Sequence, residues 1–465
     1  MQRPDYDLLI LGAGSAGFWA ARTAAQAGAR VALVDPGPLG GLCILKGCMP
    51  SKALLRSGDV LHTLRHAPEV GVYADNIRYD FKQIMARKSH WVDDFAGYRR
   101  DAILKQEGFR YIEGAGHFID PHTVKVGEET LRAEKFLVAT GSKPSIPPIT
   151  GLKEAGFITS DQALSLGAVP ESMVVIGGGV IALELGQFYA RLGTSVTMVL
   201  RCDRPLGQED PDVSEAIQGY LQAEGIRFVP NARIQDARLN GTQKQLRVMT
   251  DTGEQILEAS EILVATGRAP NLDELNLSAA NLSTSDGRLA TNQHGQTHQS
   301  HIYAAGDAAG RHNIVHVAIQ EGIHAARHAL GLPGTPPETR TLAWAIFCDP
   351  NIARVGLNER SCQEQGIPHV VGHYPFNDQG KALVANLTKG FVKVVAHAAT
   401  GEILGATVVG AEGADLIHEM IVAMHFKATL KDFLGIPHLH PTLSEIWLEP
   451  VEEAEQKRAA LAVEA

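Results

Sequence analysis

The chain contains the same unit twice, and that repeat restricts its fold more than any other feature. Residues 7–35 read DLLILGAGSAGFWAARTAAQAGARVALVD, and residues 172–201 read SMVVIGGGVIALELGQFYARLGTSVTMVLR. Each is an apolar strand, a glycine turn, an alanine-rich helix, a glycine stop and a second apolar strand. Gly12, Gly14 and Gly28 recur as Gly177, Gly179 and Gly193, all displaced by 165 positions. A βαβ unit of about 30 residues with glycines at its first turn has the size and pattern of a dinucleotide-binding unit. Glycines that merely permit tight helix–strand packing are the plainer reading. That reading accounts for one such turn; two in register favour nucleotide binding.

Further signals follow each unit. Phe136-Leu137-Val138 leads into Ala139-Thr140-Gly141, and Ile262-Leu263-Val264 leads into Ala265-Thr266-Gly267. Ile302 to Gly306 runs into Asp307 as a third strand-to-turn signal. From about 341 these features stop, strands such as 390–395 alternate with a helical stretch over 415–424, and the Glu/Ala-rich segment 449–465 is expected as a solvated helix or frayed tail. The expected class is α/β: two Rossmann-like three-layer domains and a C-terminal α+β domain. The boundaries are 1–150 for the first nucleotide domain, 151–272 for an inserted second, 273–340 for the resumed first, and 341–465 for the last.

Composition excludes other classes. A chain of 465 residues suggests about three domains. With 42 basic against 52 acidic residues and no basic stripe, nucleic acid is not an expected partner. No apolar run reaches the ~18–20 residues of a membrane span, and no signal or transit segment precedes Leu8, so no membrane partner and a cytoplasmic location are expected. Five cysteines in this length do not make a secreted disulfide scaffold.

The two units differ where a ribose would be read. The first ends its second strand at Asp35, an acceptor for free ribose hydroxyls, as in the adenosine of FAD or NAD. The second has Leu200 in the same register, followed by Arg201, with Arg204 close behind. A guanidinium pairs a 2′-phosphate that an acid would repel; the plainer reading of Arg201 is a solvated surface residue. Gly17 is also replaced, by Ala182. The repeat therefore points to an FAD-like ligand first and an NADPH-like ligand second.

Between the units stands Gly40-Gly41-Leu42-Cys43-Ile44-Leu45-Lys46-Gly47-Cys48-Met49-Pro50-Ser51-Lys52. Residues five apart do not stack on a regular helix, so joining these cysteines needs a distorted or non-helical turn. Gly47 loosens the backbone and Pro50 starts a helix. Cys48 then lies at a helix N-terminus with Lys52 one turn on, and both favour thiolate. Half a zinc site and two inert buried cysteines are the competing readings. Cys202, Cys348 and Cys362 are isolated, which leaves zinc without companions, and the polar, glycine-rich surroundings disfavour inert thiols. Near the C-terminus, His438-Leu439-His440-Pro441-Thr442-Leu443-Ser444-Glu445 places a carboxylate five residues after a histidine, the base-plus-orienter pattern of a general acid/base. A structural histidine, or a fragment of a metal site, fits the spacing equally.

Together these residues resemble the flavin-dependent pyridine nucleotide–disulfide oxidoreductases, over nearly the whole chain. The resemblance rests on the glycine fingerprint, C-x₄-C-x-P-S-K, both A-T-G turns, the Tyr303–Asp307 signal and the His-Pro-Thr-x-Ser-Glu ending, all in family order. It implies that Gly12, Gly14, Gly17 and Asp35, with Gly41, Thr140 and Gly141, hold FAD, and that Asp307 meets its ribityl chain. Gly177, Gly179, Ala182, Arg201, Arg204 and Gly267 would hold the nicotinamide dinucleotide, with NADP(H) preferred over NAD(H). Cys43 and Cys48 would form the redox disulfide, Cys43 meeting substrate and Cys48 facing the flavin as the charge-transfer thiolate. Lys52 and Glu184 would be the ion pair beside the flavin ring. His440 and Glu445 would be the acid/base pair, donated across a homodimer interface formed by a C-terminal dimerisation domain.

Within the family the His438–Glu445 ending is most similar to dihydrolipoamide dehydrogenase, with a small dithiol or disulfide or a lipoyl protein as substrate. A reductase of glutathione or another small disulfide is the alternative, since Arg22 falls where glutathione reductases place a glutathione-contacting arginine. A mercuric reductase ranks lower, because the C-terminus carries no vicinal cysteines. A flavoprotein redox sensor without turnover is the reading from a different class, and it has no use for an acid/base pair. Leu42, Leu45 and Lys46 depart from the family pattern around the cysteines and leave the substrate open.

Overall fold

The computed structural model describes residues 4–105 and 108–464. They divide into two compact units, Met1–Ala53 with Gln83–Ser145 and Gly267–Pro337, and Leu54–Lys82 with Ile146–Thr266 and Glu338–Ala465.

The first unit is built on Tyr6–Leu11. Val31–Asp35 and Glu129–Val138 pair with it in parallel on either side, Phe109–Glu113 adds beyond Val31–Asp35, and Ile302–Ala304 lies parallel to Glu129–Val138. Thr123–Val126 and Gly116–Asp120 continue as an antiparallel meander from Glu129–Val138. The strand period of two explains why Leu8-Leu9-Ile10-Leu11 is apolar throughout. Leu8 and Ile10 pack with the helices Ser15–Gln26 and Val315–Ala329, while Leu9 and Leu11 pack on the opposite face with Phe118 and Phe136. Those two helices meet closely because Gly322 has no Cβ: one built there would sit 2.3 Å from the Ala16 carbonyl oxygen.

The second unit holds the repeat. Ser172–Ile176 is flanked in parallel by Ser195–Val199 and Glu261–Val264, with Arg227–Val229 outside. An antiparallel three-stranded sheet, Arg233–Asn240, Gln243–Thr250 and Gly253–Ala259, shares a core with it. The C-terminal part is a five-stranded antiparallel sheet, ordered Ala343–Ile346, Asn351–Gly356, Ile403–Gly410, Phe391–His397 and His369–Pro375. The helix Gly413–His425 covers it, and Trp447, fully buried, donates its indole N–H to the Leu416 carbonyl at 3.2 Å.

One expectation changes here. The last segment is neither frayed nor solvated on all sides: it is a helix, Leu448–Glu464, that buries Val451 and Ala454 in the C-terminal core. It lies so close to His369–Pro375 that a Cβ at Gly372 would sit 1.7 Å from the Pro450 carbonyl oxygen. The Glu/Ala composition records the outer face; two small apolar residues three apart carry the contact. Among the described residues no helix is long and apolar enough to cross a membrane.

Candidate active site

The two glycine turns share more than sequence. The Gly12 N–H donates to Val34 O at 2.7 Å, and the Gly177 N–H to Val199 O at 3.0 Å. Gly12 has φ +107° and Gly177 φ +130°, a region closed to residues with a Cβ. A Cβ on Gly12 would fall 2.3 Å from the Ala139 carbonyl oxygen, and one on Gly177 would fall 2.4 Å from that of Ala265. Each turn therefore closes against its own Ala-Thr-Gly segment. The helices after them, Ser15–Gln26 and Val180–Arg191, start at Gly14 and Gly179, and no side chain among the described residues caps either. Their first N–H groups are the donors that a pyrophosphate uses.

At the third helical position the turns diverge. A Cβ on Gly17 would sit 1.8 Å from the Gly12 carbonyl oxygen, whereas Ala182 carries one and is fully buried. The first turn is the tighter. It is also crossed by a second backbone, since a Cβ on Gly41 would lie 2.7 Å from Gly14 Cα. Asp35 ends its strand beside this turn, Oδ2 accepting the Ala13 N–H at 2.7 Å and Oδ1 the Gly37 N–H at 2.8 Å. These bonds fix the carboxylate and leave lone pairs for a ribose.

Thr140 donates to the Asn271 carbonyl at 2.7 Å, and Gly141, at φ +72°, accepts the Asn271 N–H. Gly267, at φ +111°, accepts from the Ser145 N–H. Three residues not anticipated from sequence complete this corner. Ser142 donates to Asp307 Oδ2 at 2.5 Å, Arg268 Nε donates to Ser142 Oγ at 2.8 Å, and Glu321 Oε2 accepts the Gly306 N–H at 2.8 Å. Burial raises the Glu321 carboxyl above its ordinary range. Ser142 and Arg268 each directly follow an Ala-Thr-Gly turn, which is the signal that was there to use; Glu321 lies in a helix and carries none.

The cysteine segment is two helices, Gly41–Lys46 and Cys48–His66, broken at Gly47. Gly47 is needed for the break: a Cβ there would meet Leu42 O at 2.9 Å and Cys43 Cα at 3.2 Å. Cys48 opens the second helix, where the dipole favours negative charge, and Lys52 follows in the same helix. Both cysteines are half-buried thiols, and Cys43 is hydrogen-bonded to Cys48. That bond first, then burial, then charge on Cys48, pushes the Cys43 thiol above its ordinary range, while Arg99 pulls it the other way. Arg99, also unanticipated, comes from the helix Phe81–Leu104. Of the other cysteines, Cys348 and Cys362 are buried and Cys202 is exposed.

In the second unit, Glu184 is 3% exposed on the helix Val180–Arg191, and its Oε1 accepts the Phe347 N–H at 2.9 Å. Leu200 is buried, with Cδ2 2.5 Å from where a Cβ on Gly178 would lie, and Arg201 is exposed. Arg204 donates to Asp203 at 3.0 Å, and its Nε is buried without a partner among the described residues. His440 and Glu445 are brought together: Nδ1 lies 2.9 Å from Oε1, and Oε2 accepts the Thr442 N–H at 2.8 Å. The Thr442 N–H first and His440 second hold the Glu445 carboxyl below its ordinary range. The His440 side chain is 81% exposed, so its far ring edge faces outward. His438 turns away from it. Its Nε2 is 2.6 Å from Glu419 Oε1 and its side chain is 4% exposed, so the two histidines do not converge as ligands of one ion. Three candidate ligands do cluster elsewhere, His62, Glu224 and Asp349, but Arg191 already pairs both carboxylates at 2.7 and 2.6 Å.

Two dinucleotide turns, a cysteine pair at a helix start and a histidine–carboxylate pair define a class, that of two-nucleotide thiol–disulfide oxidoreductases. The profile of the pyridine nucleotide-disulphide oxidoreductases matches residues 6–322, that of their dimerisation domain matches 342–451, and the chain belongs to this family of FAD- and NAD(P)H-using flavoproteins. It is 35% identical to a dihydrolipoyl dehydrogenase of Bacillus subtilis (strain 168), over 95% of this chain and 96% of that one. It is 37% identical to a mercuric reductase of Staphylococcus aureus, over 92% of this chain and 78% of that one. LpdA from Mycobacterium tuberculosis superposes with a TM-score of 0.87 at 28% identity, covering 96% of this chain and 99% of that chain.

Proposed function

We propose that this chain is a dihydrolipoamide dehydrogenase-type enzyme, homodimeric and cytoplasmic, that exchanges electrons between NADP(H) and a dithiol/disulfide substrate through Cys43 and Cys48. The observation that carries this reading is the His440–Glu445 pair at 2.9 Å, held on an exposed edge. Relatives of near-equal identity include mercuric reductases and dihydrolipoyl dehydrogenases. The pair favours the second, because thiol exchange must move protons and metal-ion reduction supplies no thiol leaving group.

FAD fits the first turn. The Gly12, Gly14 and Gly41 backbones leave no room for a Cβ on Gly12 or Gly41, Asp35 keeps free lone pairs, and the Ser15 helix start is uncapped. Bound there, it supplies the two-electron relay between nicotinamide and thiols. The chain's own residues handle the sulfur chemistry. Cys43, kept protonated by Cys48, gives its proton to His440 and attacks the substrate disulfide. A Cys43–substrate mixed disulfide forms as the substrate S–S bond breaks, and the leaving thiolate takes the proton back. Cys48 then attacks the Cys43 sulfur, which releases the second substrate thiolate and closes the Cys43–Cys48 disulfide. Glu445, itself held ionised by the Thr442 N–H, orients His440 and stabilises its cationic form. The outward ring edge of His440 suits a role in the other subunit of a dimer.

NADP(H) preference is supported by Arg201, free in solvent beside a buried Leu200, and by the partnerless Nε of Arg204. A second reading, reduction of glutathione or another small disulfide, is favoured by Arg22, whose guanidinium lies 5.1 Å from the Trp19 ring centre. The test is a panel of lipoamide, glutathione disulfide and mercuric ion with each nicotinamide. Lipoamide should give the highest kcat/KM, lost in Cys43→Ser and in Cys48→Ser. Turnover of mercuric ion alone would refute the reading.

A further inference from the structure

The loop that carries Arg201 and Arg204 is held from outside its own βαβ repeat. Residues 200–210 join the strand Ser195–Val199 to the helix Pro211–Ala223. Within the repeat, the Leu206 N–H donates to the Gly178 carbonyl, in the second glycine turn, at 3.0 Å. Leu206 does so at φ +50°, a left-handed conformation that a residue with a side chain keeps only where its surroundings impose it. Those surroundings come from the C-terminal part of the chain. Arg360 Nη1 donates to the Gly207 carbonyl at 2.9 Å, and Arg354 Nε lies 3.0 Å from Oε2 of the buried Glu209. Asp210 is the clearest sign. It stands at the N-cap of Pro211–Ala223, where an aspartate ordinarily accepts an N–H of its own helix, yet among the described residues its side chain makes no such bond. Its carboxylate instead accepts the Arg360 N–H at 3.1 Å and the Glu359 N–H at 3.3 Å, and pairs with Lys393 at 2.6 Å.

We propose that Arg360 is a positioning residue for dinucleotide specificity: through Gly207 and Asp210 it fixes this loop in the shape that presents Arg201 and Arg204 to a 2′-phosphate. The inference rests on the NADP(H) reading and extends it to a residue of the C-terminal domain. The Arg360 guanidinium is committed to Gly207 and, at 2.7 Å, to Glu364, so it acts through the loop and not by meeting the phosphate. A loop already held in its binding shape loses little freedom when the ligand arrives, and that saving appears as affinity. The arginine side chain is 46% exposed, so replacing it leaves no buried charge unpaired.

The test separates the 2′-phosphate from the rest of the ligand. The FAD-loaded enzyme is titrated calorimetrically with 2′,5′-ADP and with 5′-AMP, and NADPH and NADH kinetics are run beside it. Arg360→Gln should weaken 2′,5′-ADP about fivefold, the loss of one hydrogen bond, and leave 5′-AMP within about twofold. The KM for NADPH should rise with kcat unchanged, and NADH parameters should stay as they are. Arg360→Lys should recover most of the loss, and Glu364→Gln, which removes the other partner of Arg360, should match wild type. In an Arg201→Ala/Arg204→Ala background, Arg360→Gln should cost nothing further, because it acts through those two residues. Equal weakening of both ligands would reduce Arg360 to a structural role and refute the proposal, as would no weakening of either, or a full further loss in the double-alanine background. A wild-type enzyme that binds 5′-AMP as tightly as 2′,5′-ADP would instead overturn the NADP(H) reading on which it rests.

Discussion

Adding a single methyl group at Gly17 tests the first nucleotide turn against its own duplicate. A Cβ there would sit 1.8 Å from the Gly12 carbonyl oxygen, and ordinary contact begins at 3.4 Å, so the carbonyl must retreat by about 1.6 Å. It cannot do so alone. The same peptide carries the Ala13 N–H that is bonded to Asp35 at 2.7 Å, and Gly12 is already wedged against Ala139. Overpacking of this kind costs ~1–3 kcal/mol where side chains can yield, and losing a hydrogen bond to a carboxylate adds ~1.5–3. Alanine recovers ~1 kcal/mol of helix propensity. The net, about 1.5–5 kcal/mol, corresponds to a loss of roughly 10- to 5,000-fold in FAD affinity. Ala182→Gly at the equivalent third helical position is the control: it costs ~1 kcal/mol of propensity and should weaken NADPH binding less than tenfold. The assay is FAD content after dialysis, then titration of the apoprotein with FAD. If Gly17→Ala purifies with full FAD and an unchanged dissociation constant, or Ala182→Gly is equally damaging, the assignment of the tighter turn to FAD is wrong.

Three further outcomes are expected. Arg201→Ala should lower the NADPH-over-NADH ratio of kcat/KM about tenfold, the lower end for a charge-assisted contact because the residue is exposed; a wild-type enzyme that uses NADH at least as well would sink the preference. His440→Gln should slow disulfide reduction ~10²–10⁴-fold while nicotinamide oxidation with ferricyanide changes little, and equal loss of both would remove it from the thiol step. Burial raises Asp59 to about 6 and lowers His62 to about 4, with Arg191 beside both. From pH 4 to 6 the folded state holds an extra proton on Asp59 and lacks one on His62, so the first lowers stability as pH rises and the second raises it. Relative to wild type, His62→Asn should therefore lose stability on going from pH 4 to 6 and Asp59→Asn should gain it; thermal midpoints that move in parallel would contradict the opposed shifts.

What the sequence declares, and what it withholds, follows from where each constraint is written. The glycine turns were legible because their geometry is local: φ +107° at Gly12 and +130° at Gly177 demand glycine, and the demand is visible wherever it falls. The break at Gly47 and the His440–Glu445 pair were legible for the same reason, each being settled within about five residues. The final helix was misjudged because its contact is carried by Val451 and Ala454, too few and too small to register as a stripe against the surrounding charge. Lys393 is the opposite case. It is a buried cation in an apolar strand, made stable by Asp210 at 2.6 Å and Asp212 at 2.8 Å from a distant helix start, with Glu359 at 3.9 Å.

Arg99 stands farthest from legibility. It sits 51 positions beyond Cys48 in an ordinary charged helix, and no spacing rule ties it to the cysteines. Only the fold lays it over Phe18 and buries its Nη1. Local motifs in this chain fix the chemistry of electron transfer, which the family shares. Contacts such as that of Arg99 with Phe18 are long-range, and substitution there leaves every motif intact.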